Sequence, residues 1–225
     1  NIKKEFPIFK QKINGKPLVY LDSANSSQKP KIVIDKISSF YETEYSNVGR
    51  SVHTLAVKAT NRFEATRDKI QKYLNAKHRE EIIFTKGATE AINLVASSYG
   101  KKYIKKGDEV LITELEHHSN YVPWDYLRTD KGAVIKFAQV NENGDVEIDE
   151  IKKFITNKTK IIAITHISNV TGAILPITKI VDLAKEKNIP VLVDGTQGAP
   201  HSEIDIQKMG CDFYAISCHK MYGPN

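Results

Sequence analysis

The 225 residues are 40% hydrophobic and 27% charged, a globular balance that excludes a disordered chain and suffices for a real core. The formal charge of +6 comes from lysines scattered along helical faces, as at 101–106 and 152–153, with no aromatic interleaving, which argues against a nucleic-acid reader. The longest apolar runs, 161–164 and 191–193, are too short to cross a bilayer, residues 6–21 are too interrupted to read as a leader, and two cysteines, Cys211 and Cys218, make no disulfide framework. A cytoplasmic protein without membrane or nucleic-acid partners is expected.

In chain order, residues 10–21 carry an Asn14-Gly15 turn between two short β-like flanks. Residues 32–45 and 56–74 read as helices joined by a polar connection. From about residue 80 the pattern changes. Strands are expected at 81–85, 109–113, 133–137, 160–165, 191–194 and 212–217. Helices are expected between them at 88–99, 120–131, 149–156 and 177–187. Such alternation predicts an α/β domain with much parallel pairing and helices on both faces of the sheet. Continuous apolar strand runs fit strands buried on both faces.

Ligands of open α/β sheets bind beyond the carboxyl ends of the strands, so the residues there are the candidates. In Lys86-Gly87-Ala88-Thr89-Glu90 a strand passes through a glycine into a helix. Backbone N–H groups and the positive helix end suit a phosphate, with the Thr89 hydroxyl adding a bond. The plainer alternative is an ordinary helix start capped by Thr89. The stretch is neither a P-loop nor a dinucleotide fingerprint.

Asp194 ends the apolar run 191–193 and is followed by Gly195, Thr196 and Gln197. It could be a metal ligand, a cap, or the partner of a cationic ring nitrogen. No ligand-spaced cluster accompanies it, so a metal is disfavoured. At Ser217-Cys218-His219-Lys220 a lysine follows a strand, where lost solvation would free its amine for Schiff-base chemistry. Phosphate at a helix start, a ring nitrogen on Asp194, a ring oxygen on Gln197 and an aldehyde on Lys220 together describe pyridoxal 5′-phosphate. His117, at another strand end, could stack on the ring and shuttle protons.

The chain resembles the fold-type I pyridoxal-phosphate enzymes of the class V aminotransferase group, and within it the SUF-type (group II) cysteine desulfurases. The residues that carry the resemblance are LDSANSSQKP (21–30), RSVHTL (50–55), FTKGATEAIN (84–93), EHHSNYVPW (116–124), THISNVTG (165–172), VDGTQ (193–197) and DFYAISCHKMYGP (212–224). The resemblance implies a three-layer α/β/α fold, with residues 1–14 on the small-domain side and 15–225 forming a cofactor domain incomplete at its C-terminus. Lys220 would hold the cofactor aldehyde, Asp194 the pyridine nitrogen and Gln197 the ring oxygen. His117 would stack on the ring and assist proton transfer. Thr89, the Ala88 backbone, Ser217 and His219 would hold the phosphate. Asn169 would lie near the substrate carboxylate or ring, and His53 would line the substrate side.

The implied activity removes sulfur from L-cysteine, leaves L-alanine, and passes an enzyme-bound persulfide to a sulfur-acceptor protein of iron–sulfur cluster assembly, from a homodimer. A selenocysteine lyase, another class V lyase or aminotransferase, and a catalytically incomplete fragment with only a dimerisation or partner-binding role are the alternatives. The chain departs from the family pattern in three places: Cys218 stands where a glycine is usual, Ala88 where a threonine is common, and Gly49-Arg50-Ser51 replaces a His-Arg-Gly. The family's persulfide cysteine and carboxylate-binding arginine lie well beyond the position of Lys220, in a C-terminal region that, with the small domain, is expected to be absent from these 225 residues, and neither Cys211 nor Cys218 matches that cysteine. Cys218 is expected to be a buried small residue.

Overall fold

The computed structural model describes residues 2–224, so Asn1 and Asn225, the outer limits of the two expected segments, lie outside the described residues. The chain separates into two compact units. One comprises the residues up to Ile83 with those from Cys218 onward, and the other Phe84–Ser217.

In the first unit, β1 (Lys12–Ile13) and β2 (Lys16–Pro17) form an antiparallel hairpin. Its two turn residues, Asn14 and Gly15, both take positive φ (52° and 76°), the geometry that two-residue hairpins favour. Helices α1 (Lys31–Thr43) and α2 (Thr54–Leu74) follow. α2 begins at His53, whose Nδ1 accepts the Ala56 N–H at 3.3 Å, and ends at Asn75 in the left-handed conformation. The segment from Cys218 is tied to the start of the same unit: Ser27 N–H donates to the His219 carbonyl at 3.0 Å, and Tyr222 N–H to Ser27 Oγ at 2.8 Å.

The second unit holds α3 (Ala88–Val95), which runs through a π-helical turn (Ala96–Gly100) into the short α4 (Lys101–Tyr103). Then come β3 (Glu109–Thr113), α5 (Val122–Lys131), β4 (Val134–Ala138), α6 (Ile148–Phe154), β5 (Thr159–Thr165), α7 (Ile177–Lys185), β6 (Val191–Asp194), α8 (Gly198–His201), α9 (Ile206–Met209) and β7 (Phe213–Ala215). The strands form one sheet in the order β4-β3-β5-β6-β7, parallel throughout. Alternate strand residues feed two cores. Leu111, Ile162, Ile164, Val191 and Val193 pack with Ile151 of α6 and Ile177, Ile180 and Val181 of α7. Val110, Ile112, Ile161, Ala163 and Leu192 pack with Ile92 of α3 and Trp124 and Leu127 of α5. These are the three layers that the alternation predicts.

One expected strand does not form. Residues 82–86 belong to no strand or helix, and Ile83 and Phe84 are exposed. The apolar run favours extended backbone, but strand propensity is realised only on a pairing neighbour, and the Ile82 carbonyl instead accepts from the Arg67 guanidinium. No described helix is long and apolar enough to cross a membrane.

Candidate functional site at the carboxyl edge of the sheet

Register sets the carboxyl edge of the second unit. Thr165 pairs with Asp194, and Asp194 with Ala215, so three strand ends lie level. Asp194 is buried, and its Oδ1 accepts the Thr196 N–H at 2.9 Å. The turn after it is held at close quarters. A Cβ on Gly195 would stand 2.1 Å from the Tyr214 ring, and one on Gly198 2.2 Å from His166 Nδ1. His166 and Tyr214 are themselves paired, Nδ1 to hydroxyl at 2.9 Å, and the His166 backbone N–H donates to the Asp194 carbonyl at 2.9 Å. Burial holds the His166 pKa below its ordinary value, because lost solvation disfavours the charged ring. Gln197 is buried in the same turn, and the Thr196 hydroxyl is buried with no hydrogen-bond partner among the described residues.

At the start of α3, Gly87 takes a φ of 153° and lets the chain turn from the extended segment into the helix. The Ala88 N–H, one of the donors a helix leaves unused in its first turn, donates to the buried Ser217 Oγ at 2.9 Å. Thr89 does not cap the helix. Its hydroxyl lies 2.8 Å from Ser119 Oγ, and Ser119 contacts His117 Nδ1 through both its hydroxyl (3.0 Å) and its N–H (3.1 Å). A backbone N–H can only donate, so Nδ1 accepts, and a neutral His117 carries its proton on Nε2.

Glu116 stands out only in the structure. Its Oε1 accepts from the Thr113 hydroxyl at 2.6 Å and the Thr165 N–H at 3.0 Å, and its Oε2 from Asn120 Nδ2 at 2.6 Å. Loss of solvation pushes its carboxyl up to about 7, against these three hydrogen bonds and with a smaller push from the charge of Asp194. A glutamate between Leu115 and two histidines reads as a solvated loop residue. Its placement after a strand end was the one available signal.

The remaining candidates lie elsewhere. Asn169 is exposed in the loop after β5, where Ser168 Oγ accepts the N–H groups of Val170 and Thr171. Among the described residues no hydrogen bond joins the Asn169 side chain to the groups above. His53, in the first unit, is exposed and serves as the cap of α2. Lys220 sits half-buried on a 3-10 turn (Cys218–Lys220) rather than directly at the strand end, since β7 closes at Ala215. His219 Nδ1 lies 3.2 Å from Ser26 Oγ, and its carbonyl also accepts from Lys29 Nζ at 2.8 Å. Burial, then the charges of Lys220 and Lys29, hold the His219 pKa down, and burial lowers that of Lys29. Cys218 is exposed, contrary to expectation, because it stands on the 3-10 turn Cys218–Lys220 and not within a strand. Cys211 is the sequestered thiol, pushed up to about 11 by burial.

The family model for aminotransferase class-V matches residues 19–225. A probable cysteine desulfurase of Halalkalibacterium halodurans is 49% identical over 223 residues, which cover 99% of this chain and 55% of that protein. The crystal structure of a cysteine desulfurase from Escherichia coli superposes with a TM-score of 0.87 at 36% identity, covering 100% of this chain and 55% of its own. The apo cysteine desulfurase of Thermococcus onnurineus NA1 superposes with a TM-score of 0.92 at 33% identity, over 100% of this chain and 54% of its own. The chain thus spans about half the length of these relatives.

Proposed function

The chain belongs to the aminotransferase class-V family, and on that premise we propose that it is the cofactor-holding part of a pyridoxal 5′-phosphate-dependent cysteine desulfurase of the SUF type. Such an enzyme takes sulfur from L-cysteine, leaves L-alanine, and hands a persulfide to an acceptor protein of iron–sulfur assembly. A cytoplasmic homodimer is the matching assembly, and two cysteines without a disulfide suit a reducing compartment.

The observation that carries this reading is the presence, at the carboxyl edge of one sheet, of a buried strand-end carboxylate, Asp194, and a buried hydroxyl, Ser217, bonded to the first N–H of α3. The donor chemistry fits the cofactor. A helix start with two hydroxyls suits a phosphate dianion, and a buried carboxylate suits a cationic pyridine nitrogen. The orphaned Thr196 hydroxyl beside Asp194 fits a site meant to receive another polar group, since buried polar atoms are rarely left without partners.

When bound, the cofactor supplies an electron sink for bonds made and broken at the amino-acid carbon. The protein's share is binding, orientation and proton placement. The Ala88 N–H, Thr89, Ser217 and His219 would hold the phosphate. Asp194, as a carboxylate, would keep the proton on the ring nitrogen, and Gln197 would reach the ring oxygen. Lys220 would supply the amine for the aldehyde. His117 would lie against the ring with its Nε2 proton turned away from Ser119, ready to donate. Asn169 and His53 would face the substrate.

Titrating the purified protein with pyridoxal 5′-phosphate tests this. A visible absorption band should grow in and be lost in Lys220→Ala, and, in a chain that carries the family's persulfide cysteine, L-cysteine should release alanine faster than selenocysteine or other amino acids do. Absence of the band, or its persistence in Lys220→Ala, would remove the reading. Preference for selenocysteine would move it to a lyase.

A further inference from the structure

We propose that Glu116 is the positioning residue that sets the orientation of the His117 imidazole. The inference deepens the reading above and rests on it for the part that His117 plays.

Hydrogen-bond direction fixes the arrangement. The Trp124 indole N–H can only donate, and it donates to Asn120 Oδ1 at 3.2 Å. That sets the Asn120 amide with its NH2 group toward Glu116, where it donates to Oε2 at 2.6 Å. Asn120 and Trp124 are fully buried, so neither can turn to water for a substitute. The other carboxylate oxygen takes the Thr165 N–H at the end of β5 and the Thr113 hydroxyl at the end of β3. One side chain therefore ties two strand ends to the turn that follows His117 (His118–Asn120), and Asn120 carries the tie on to Trp124 of α5. Glu116 is the residue before His117, and Asn120 is three residues after it, with its N–H donating to the His117 carbonyl at 2.8 Å. Within this clamp Ser119 meets His117 Nδ1 and holds the proton on Nε2.

In this arrangement both Glu116 oxygens face donors. In Glu116→Gln one amide NH2 would face either the Asn120 NH2 or the Thr165 N–H, donor against donor. Adding Asn120→Asp reverses the polarity of that one bond. The new amide at position 116 then donates to the carboxylate at position 120, whose other oxygen still accepts from Trp124. The double substitution restores every one of these pairings and moves the carboxylate by one hydrogen bond.

Nitrogen chemical shifts of the His117 ring, read from long-range proton–nitrogen spectra of the purified protein at pH ~8.5, about two units above the ordinary histidine value, test the inference. The wild-type protein should show the Nε2-protonated tautomer. Glu116→Gln should lose it to a mixture of tautomers, and Glu116→Gln/Asn120→Asp should recover it. Should the single variant fail to fold, a folded double variant with the wild-type signature still supports the assignment. An unchanged signature in Glu116→Gln overturns it, as does a double variant that fails to fold or folds without the signature. The readout needs neither cofactor nor turnover, so failure of the proposed function would leave it intact.

Discussion

Ser217 Oγ accepts the Ala88 N–H at 2.9 Å, joining two points 129 residues apart in the chain at the first turn of α3. The bond satisfies a buried donor that would otherwise be orphaned and brings a hydroxyl to the positive end of a helix. Ser217→Ala should therefore cost about 1–3 kcal/mol in stability, from the unpaired N–H. It should also weaken cofactor affinity about tenfold, equivalent to ~1.4 kcal/mol. Denaturant unfolding and cofactor titration read the two effects separately. A variant unchanged in both would mean that the hydroxyl neither supports the helix start nor contacts a phosphate.

Gly195 admits no side chain because the Tyr214 ring lies where a Cβ would be. Gly195→Ala should move either the ring or the Asp194 turn. Overpacking of this kind costs about 1–3 kcal/mol, and cofactor binding should fall more than in a Tyr214→Phe control, which removes only the hydroxyl bonded to His166. Thermal melts with and without cofactor give the comparison. Equal cofactor affinity in Gly195→Ala and wild type would show that the turn tolerates the shift.

Glu116 gives stability a definite pH slope. Its folded pKa, about 7, lies above the ordinary value of 4.5, so the folded state binds more protons between those limits. The contribution is favourable at low pH and is lost as pH rises through the window, by up to about 3 kcal/mol. The stability gap between wild type and Glu116→Gln, measured by urea unfolding from pH 5 to pH 8, should narrow as pH rises. A gap independent of pH would contradict the raised pKa.

The sheet was legible because five of the six expected strands are apolar runs with a neighbour on which to pair. The exception, 81–85, has the same composition but no strand beside it, and composition cannot report that. Asp194 and Ser217 stood out as polar residues at or just past the ends of apolar strands, and Gln197 as a polar residue in the turn after Asp194. Glu116 and His166 did not, because their burial comes from several elements converging on one point. The spacing of Gly195 and Gly198 just after Asp194 was the trace left by His166 and Tyr214, since glycines there mark close approach. The 3-10 turn under Lys220 and the exposure of Cys218 depend on the bonds between the last residues and Ser26, Ser27 and Lys29, which lie about 190 positions earlier.

The two cysteines should react very differently. Cys218 is exposed, whereas burial pushes Cys211 up to about 11 and leaves little thiolate at neutral pH. An aromatic disulfide reagent at pH 8 should titrate one thiol quickly and the second only on unfolding, and Cys218→Ser should remove the fast phase. Two fast thiols, or loss of the slow one in Cys218→Ser, would reverse the assignment.

The proposed function turns above all on Lys220 holding the aldehyde of the cofactor. Borohydride reduction of the cofactor-loaded protein, followed by peptide mass spectrometry, tests it most directly. A phosphopyridoxyl group on Lys220, absent from Lys220→Ala, is the predicted result. A label on another lysine, Lys29 or Lys86 included, or no label on a protein that has bound the cofactor, would contradict it.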